Sequence, residues 1–362
     1  MKEKIQKDFV RPSSLIDRLT VLTLEKNIPL MATIELTRRC PCRCAHCYLP
    51  ETHGRKKAEA GKELGAGEWK GIFQQLADSG CLFLVFTGGE PLFRPDFAKI
   101  CAHASALNFD IRVFTTGFGL TDGLIKKLRD ANISAFELSL YGRKETHDSV
   151  TRRPGSFETT LSAAKKLKKS GYRVKLKMPL MKLNCGQTDY LMRLCARHGF
   201  GHSFDPVIAP ANDGLKDTLK LRPSAAALER IFRDPRLNGP AIALLKAGAV
   251  YPDFFCGAGK AAFSIDPYGR LYPCLQIPVP LGDLRKTPFA RLWKNSPWLK
   301  KWRGLKLSDL KQCAACRYES VCSRCPGISL LEEGDIMAPN KPAYRFAKIS
   351  HSFALKGRAI KE

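Results

Sequence analysis

The sequence lacks an apolar run of about eighteen residues, the length that a membrane-spanning helix requires. Its first segment, MKEKIQKDFVRPSS, lacks the apolar core of a secretion signal. No unit recurs with a period of about 20 to 50 residues, which argues against a solenoid. These absences predict a cytoplasmic protein without a membrane association.

Acidic residues are scarce relative to basic ones. The 362 residues include 60 Lys and Arg but only 34 Asp and Glu, a formal net charge of +26. Such an excess favours an anionic partner, for example nucleic acid, an acidic peptide or an acidic redox protein, and charge alone does not choose among them. The 44% hydrophobic content is that of a folded chain with one large domain and a smaller one.

Cysteine, in contrast, is abundant. Fourteen cysteines without a secretion signal indicate thiols kept reduced as metal ligands rather than paired in disulfides. The densest group lies in TRRCPCRCAHCY, where Cys40, Cys44 and Cys47 are spaced Cys-x-x-x-Cys-x-x-Cys. Three thiolates can hold three irons of a [4Fe-4S] cluster and leave the fourth iron open to a small molecule. Zinc, with His46 or Cys42 as a fourth ligand, is the alternative.

Apolar segments typical of strands alternate with helical ones from Met31 onward. The predicted strands are 31–36, 81–88, 109–117, 134–142, 172–180 and 201–208. This alternation predicts a parallel sheet in a full or partial barrel, with functional residues at the carboxyl ends of the strands. The pattern changes after Leu221, and FSIDPYGRLYPC (263–274) predicts a β-hairpin. We therefore predict a basic arm over 1–30, a barrel over 31–235 and a cysteine-rich domain over 236–362.

A second motif, FTGGEPLFRPDF, follows the second predicted strand. Paired glycines at a strand end let backbone approach a ligand closely, and a carboxylate suits an ammonium group. With the cysteine group it resembles the paired motifs of radical S-adenosylmethionine (SAM) enzymes. The resemblance implies a partial (β/α)6 TIM-like barrel and a [4Fe-4S] cluster that binds SAM and yields a 5′-deoxyadenosyl radical. It also implies that five residues contact SAM or lie beside it: Tyr48, Gly88, Gly89, Glu90 and Pro91.

Two later segments extend the resemblance. FTTGFGL places Thr116 where relatives usually have Asn, and the resemblance implies that Thr116 also lies at the SAM site. ELSLYGRKETHDSVTRRPGSF implies that Ser139 contacts the ribose of SAM and Arg152 its carboxylate. Tyr141 stands where many relatives carry Asp. His147 and Asp148 either take part in catalysis or order the loop, and no catalytic residue is assigned.

The C-terminal cysteines form a further group. On spacing alone, Cys313-x2-Cys316-x5-Cys322-x2-Cys325 is typical of a four-cysteine zinc site. Together with the two preceding cysteines, however, the group resembles the SPASM extension that carries auxiliary iron-sulfur clusters in radical SAM enzymes. The resemblance implies one cluster on Cys256, Cys274 and Cys325 and a second on Cys313, Cys316 and Cys322.

One ligand of this pattern is missing. No cysteine follows Cys325, so the second cluster either takes an oxygen ligand such as Glu332, Glu333 or Asp335, or is absent or replaced by zinc. The sequence therefore predicts one or two auxiliary clusters.

The resemblance implies an oxidoreductase that modifies a ribosomally made peptide or protein by a crosslink or another oxidation. The expected partners are the precursor peptide, a ferredoxin or flavodoxin as reductant, and a separate leader-binding protein. The last is expected because the thirty residues before the first strand are too few for a leader-binding domain.

One alternative is an enzyme that trims tetrapyrrole side chains in haem synthesis. Another is a nucleic-acid-binding or RNA-modifying protein with structural zinc; because no RNA-binding signature is present, nucleic acid is not an expected partner.

Overall fold

The computed structural model describes residues 15–50, 62–234, 236–237, 256–319 and 322–359. Its strands are β1 Met31–Glu35, β2 Phe83–Thr87, β3 Asp110–Thr115, β4 Ile133–Ser139, β5 Val174–Pro179, β6 Gly201–Asp205, β7 Ala262–Ile265, β8 Arg270–Tyr272 and β9 Gly282–Asp283. Its helices are α1 Leu15–Lys26, α2 Ala66–Asp78, α3 Phe97–Ser105, α4 Asp122–Lys127, α5 Lys144–Thr151, α6 Ser156–Lys169, α7 Thr188–His198, α8 Ala225–Phe232, α9 Phe289–Asn295, α10 Pro297–Gly304, α11 Lys311–Ala314, α12 Pro326–Glu333 and α13 Lys341–Ala359.

In the described part of the chain the strands form one sheet in the order β6-β5-β4-β3-β2-β1-β7-β8-β9. Strands β1 to β6 are parallel and adjacent in chain order, and helices follow most of them. This is the predicted partial (β/α)6 barrel, and the fold prediction is confirmed. The predicted boundary at 235 and residues 1–14 of the predicted arm lie outside the described residues, while α1 occupies much of the rest of that arm.

Alternation along the strands places the core on the outer face of the sheet. In β5, for example, Val174, Leu176 and Met178 are buried against the helices, while Lys175 and Lys177 face the other side. Aromatic rings fill the layer beneath α2 and α3, where Phe73 stacks on Phe86 with ring centroids 5.9 Å apart. The inner face of the barrel is consequently left to polar and charged side chains.

The cysteine-rich part joins this sheet directly. Strand β7 pairs in parallel with β1, and β8 and β9 then add antiparallel strands, which confirms the predicted hairpin. Asp266 shapes its turn, because it is almost fully buried and accepts hydrogen bonds from the backbone of Tyr268 and from both the backbone and the guanidinium of Arg270. Strand β1 is thus shared by both parts of the protein.

No described helix is long and apolar enough to cross a membrane.

Arg94 ties the carboxyl end of β1 to the segment before α2. Its buried guanidinium donates to the carbonyl oxygens of Leu36 (2.7 Å) and Leu64 (2.8 Å) and pairs with Asp96 at 2.8 Å. Two backbone segments therefore depend on one buried cation.

We predict that Arg94→Met lowers the stability of the protein, because removing one partner of a buried ion pair costs about 3–5 kcal/mol. The exposed Arg129 provides the control, since Arg129→Met removes the same charge from the surface. Thermal unfolding followed by circular dichroism should show a clear decrease of the melting temperature for Arg94→Met alone. Equal melting temperatures of the two variants would contradict the structural role of Arg94.

Candidate functional site

The predicted SAM-site residues converge at one edge of the sheet. The cysteine group follows β1, Gly88 to Glu90 follow β2, Thr116 follows β3, and Ser139 ends β4. Since these four strands are parallel neighbours, their carboxyl ends lie side by side.

Backbone hydrogen bonds clamp the loop after β1 to the loop after β2. The amide of Gly89 donates to the carbonyl of Thr37 at 2.7 Å, and the amide of Glu90 donates to that of Arg39 at 2.8 Å. A Cβ atom on Gly88 would lie 2.4 Å from the oxygen of Thr37, and one on Gly89 would lie 2.3 Å from that of Arg39. The two glycines are therefore required where the loops touch, a requirement that the structure adds to the SAM contact implied by the sequence.

The cysteine loop is held from its other side by the end of α5. The amides of Arg43 and Ala45 donate to the carbonyls of Thr151 (3.0 Å) and Val150 (2.8 Å). Arg152 follows at once in the left-handed region, with φ of 53°. A non-glycine residue in this region costs free energy, and such strain is frequent at functional sites.

Three thiols of the loop interact with one another, and they differ in acidity. Hydrogen bonds to Cys40 and Cys44, together with burial, raise the pKa of Cys42. The same bond from Cys42 lowers the pKa of Cys44, and Tyr141 and the charge of Arg152 act in the same direction. Cys44 therefore loses its proton more readily than Cys42, and the thiolate is the form that ligates iron.

Glu90 is fully buried, and protein donors occupy its carboxylate. Oε1 accepts from the amide of Leu92 (3.0 Å) and the hydroxyl of Thr115 (2.6 Å), and Oε2 accepts from the amide (2.6 Å) and hydroxyl of Thr116. Burial raises the pKa of Glu90, and the bonds from Thr115 and Thr116 oppose that effect. The structure thus gives Glu90 partners other than the SAM ammonium that the resemblance implies. Pro91 begins a short 3-10 helix whose first turn this carboxylate caps.

Tyr48 belongs to a small charged network beneath the cysteine loop. Its hydroxyl donates to Glu35 at 2.5 Å, and Arg38 pairs with the same carboxylate at 2.9 Å. Burial and this carboxylate raise the pKa of Tyr48 well above its usual range. Sequence reasoning missed Glu35 and Arg38; their signal was the ELTRR segment, which places a glutamate on the inner face at the end of β1.

His147 and Asp148 order the loop after β4, one of the two roles that the sequence allowed. Asp148 accepts hydrogen bonds from the amides of Gly155 and Phe157 and from the hydroxyl of Ser156, each at 2.8 Å. Nδ1 of His147 accepts from the amide of Tyr141 at 3.1 Å. Both side chains therefore shape the start of α6 and the end of β4.

The C-terminal cysteines interact electrostatically in two groups. Burial, together with the negative charges of Cys274 and Cys325, raises the pKa of Cys256 to about 11, and burial and Cys325 also raise the pKa of Cys274. Cys313 and Cys316 have the same effect on Cys322. These are the two sets that the sequence predicts.

Arg324 lies between the two groups. Its charge interacts with Cys256 and Cys325 in one and with Cys313 and Cys322 in the other, while burial lowers its own pKa. The guanidinium donates to the carbonyls of Ile336 and Ala338, the latter at 2.8 Å. One cation therefore offsets negative charge at both sites.

The oxygen ligands considered for the second group have other partners. Glu332 pairs with Arg222, and Glu333 lies 3.1 Å from Lys341. Asp335 accepts from the amide of Met337 at 2.8 Å. Within the described residues, no three Cys, His, Asp or Glu side chains are arranged to hold a single metal ion.

A cavity of about 180 Å³ is lined by residues at the end of β1, by Leu49 and Pro50 after the cysteine loop, and by Cys274. Glu35, Arg38, Ser264, Arg270 and Tyr272 lie on its wall, together with Asn212. The hydroxyl of Ser264 is buried and has no hydrogen-bond partner in the described structure, and the same holds for Oδ1 of Asn212. The cavity is therefore polar, offers both donors and acceptors, and contains groups that a ligand would satisfy.

Comparison with known proteins agrees with this arrangement. The family model described as Radical SAM superfamily matches residues 34–194, and the SPASM iron-sulfur cluster-binding domain matches residues 256–326. The chain contains a radical SAM domain and a SPASM domain.

Two curated relatives cover most of the chain. An AdoMet-dependent heme synthase from Methanosarcina barkeri is 27% identical over an alignment of 338 residues, with coverage of 86% of this chain and 95% of the relative. A PqqA peptide cyclase from Rhizobium meliloti is 26% identical over an alignment of 351 residues, with coverage of 88% of this chain and 89% of the relative.

Solved structures share the fold. Streptococcus suis SuiB bound to its precursor peptide SuiA has a TM-score of 0.69 at 17% identity, covering 91% of this chain and 80% of SuiB. The enzyme anSMEcpe with bound AdoMet and the Kp18Cys peptide also has a TM-score of 0.69, at 15% identity and with 91% and 99% coverage.

As a radical SAM enzyme with a SPASM domain, the protein uses SAM and iron-sulfur clusters. The loop fits the SAM-site cluster, because its three motif cysteines lie at the barrel edge and Cys44 is favoured as a thiolate. We expect Cys40, Cys44 and Cys47 to hold that cluster, and the cysteine group around Cys256 to hold an auxiliary one.

Gly89→Ala tests the loop clamp. The added methyl group would overlap the carbonyl of Arg39, so the cysteine loop must move, and we predict a loss of roughly four irons per chain after anaerobic reconstitution. Gly67→Ala is the matched control, because a Cβ at that helical position meets no atom within 4 Å. Full iron content in Gly89→Ala would show that the clamp does not position the ligands.

The lowered pKa of His147 predicts that the stability of the folded protein depends on pH. Burial lowers its pKa from 6.5 to about 4, so between these values the unfolded chain binds the proton more tightly than the folded one. The stability that His147 contributes is complete above pH 6.5 and decreases as the pH falls towards 4, by about 2 kcal/mol at pH 5. His147→Gln should therefore show a smaller loss of melting temperature between pH 7.5 and 5 than the wild type; an equal loss would refute this assignment.

Proposed function

We propose that the protein modifies a ribosomally made peptide or protein, forming a crosslink or carrying out another oxidation. The observation that carries this proposal is the polar cavity lined by Glu35 and Arg38 at the end of β1 and by Cys274. A substrate group held there would lie beside the expected auxiliary cluster and beside the segment that leads into the cysteine loop.

The wall of this cavity suits a peptide. Arg38 and Arg270 can donate to a peptide carbonyl, and Glu35 and Asn212 can accept from a peptide amide. The hydroxyl of Ser264 can donate to a peptide carbonyl or accept from a peptide amide. A volume of about 180 Å³ is suited to a side chain with its adjoining amides and is too small for a tetrapyrrole macrocycle.

Two relatives support a peptide substrate by their names, the PqqA peptide cyclase and the SuiB complex with the precursor peptide SuiA. The protein's net charge of +26 supports an acidic ferredoxin or flavodoxin as reductant. A separate leader-binding protein remains part of the proposal.

When bound and reduced, the SAM-site cluster with SAM supplies a 5′-deoxyadenosyl radical that removes a hydrogen atom from the substrate. The chain itself binds, orients and shields the substrate. Charges on the barrel's inner face are already paired, since buried Glu137 lies 3.3 Å from Lys177 and 4.0 Å from Arg112. These pairs fix the polar lining before a substrate enters.

A second candidate is a reaction on a tetrapyrrole in haem synthesis. The observation that favours it is the 27% identity to the AdoMet-dependent heme synthase over 338 residues. In this case the substrate would have to bind outside the cavity or widen it.

The test is substrate-dependent cleavage of SAM. The anaerobically reconstituted, dithionite-reduced enzyme is incubated with SAM and either short peptides encoded beside its gene or a propionate-bearing tetrapyrrole. We predict that a peptide increases the formation of 5′-deoxyadenosine and changes in mass by the loss of hydrogen. Turnover of the tetrapyrrole with no peptide effect would overturn the proposal.

Ser264→Ala then tests the cavity. Loss of a hydrogen bond to the substrate costs about 1 kcal/mol, so kcat/KM for the peptide should fall by roughly fivefold to tenfold. Ser162→Ala, on the exposed face of α6, is the control and should leave kcat/KM unchanged. Identical values for both variants would place the substrate elsewhere.

A further inference from the structure

Tyr141 occupies an unusual position beside the cysteine loop. It lies two residues after the end of β4 and is only 4% exposed. It belongs to a small apolar cluster with Cys42, Cys44, Val150 and Met181, separate from the main core. A tyrosine hydroxyl in such a setting needs a hydrogen-bond partner.

The hydroxyl has one partner among the loop thiols. It faces Sγ of Cys44 at 4.0 Å, within hydrogen-bonding distance for sulfur, and either group can be the donor when both carry protons. A Cys44 thiolate that binds iron has no proton, so in the cluster-bound protein only the tyrosine hydroxyl can donate.

The ring has little freedom to turn away. It stacks on His147 with centroids 5.2 Å apart and meets His46 edge-on at 4.8 Å. Its backbone amide is fixed by Nδ1 of His147 at 3.1 Å. The contacts with His147 and His46 therefore hold the ring with its hydroxyl facing the cysteine loop.

A donor directed at a ligand sulfur changes an iron-sulfur cluster. Reduction adds an electron to a cluster whose sulfurs already carry negative charge, and a hydrogen bond to such a sulfur stabilises the reduced form. The hydrogen bond to Cys44 is consequently expected to raise the reduction potential.

We propose that Tyr141 is a positioning residue whose hydroxyl donates to the Cys44 ligand and raises the reduction potential of the SAM-site cluster. This inference depends on the cysteine loop and is independent of the substrate. It would hold for a peptide and for a tetrapyrrole enzyme alike.

Tyr141→Phe tests the inference in the reconstituted full-length protein. The potential of the cluster whose electron paramagnetic resonance spectrum responds to SAM is measured by redox titration. We expect the equilibrium constant for its one-electron reduction to fall about tenfold. This corresponds to a decrease of about 59 mV in the reduction potential. Tyr172→Phe is the control, because it removes a hydroxyl that donates to the carbonyl of Leu128. Equal potentials of Tyr141→Phe and the wild type would overturn the proposal.

A second substitution covers the case in which Tyr141→Phe does not assemble the cluster. In this protein 3,5-difluorotyrosine replaces Tyr141 and no other tyrosine. The ring and the hydroxyl are kept, and the fluorine atoms make the hydroxyl a stronger donor. The potential of the SAM-responsive cluster should then rise above the wild-type value. An unchanged or lower potential in this protein would refute donation to Cys44.

Discussion

The site depends on one close contact between two backbone segments. The loop after β2 donates two hydrogen bonds to the loop after β1, and neither Gly88 nor Gly89 has room for a side chain there. Strand pairing brings the two loops to the same edge, and the end of α5 holds the cysteine loop from its opposite side. The ligand cysteines are thus positioned by main-chain contacts that do not require the cluster.

Strand β1 connects this contact to the rest of the protein. It lies between β2 and β7, so the barrel and the cysteine-rich part share a continuous sheet. Its last residue, Glu35, lies on the wall of the cavity that Cys274 also lines. The same strand therefore leads into the cysteine loop and contributes to the cavity beside the expected auxiliary site.

Much of the fold could be predicted, because its signals are local. Six apolar segments marked the parallel strands, and Pro267 to Gly269 marked the hairpin turn. The hydrogen-bond and ion-pair partners of individual side chains could not be predicted, since they lie far apart in the chain. The carboxylate of Glu90 meets Thr115 and Thr116 rather than a free space, and Glu332 meets Arg222. Tyr141 gave no interpretable signal in the sequence; only the fold shows that its hydroxyl faces Cys44.

The metal content of the anaerobically reconstituted protein tests the central claim most directly. A SAM-site cluster with one or two auxiliary clusters predicts about eight to twelve irons per chain, a similar amount of sulfide and no zinc. About four irons together with zinc would contradict this account, because only the SAM site would then hold a cluster and the C-terminal cysteines would be a structural zinc module.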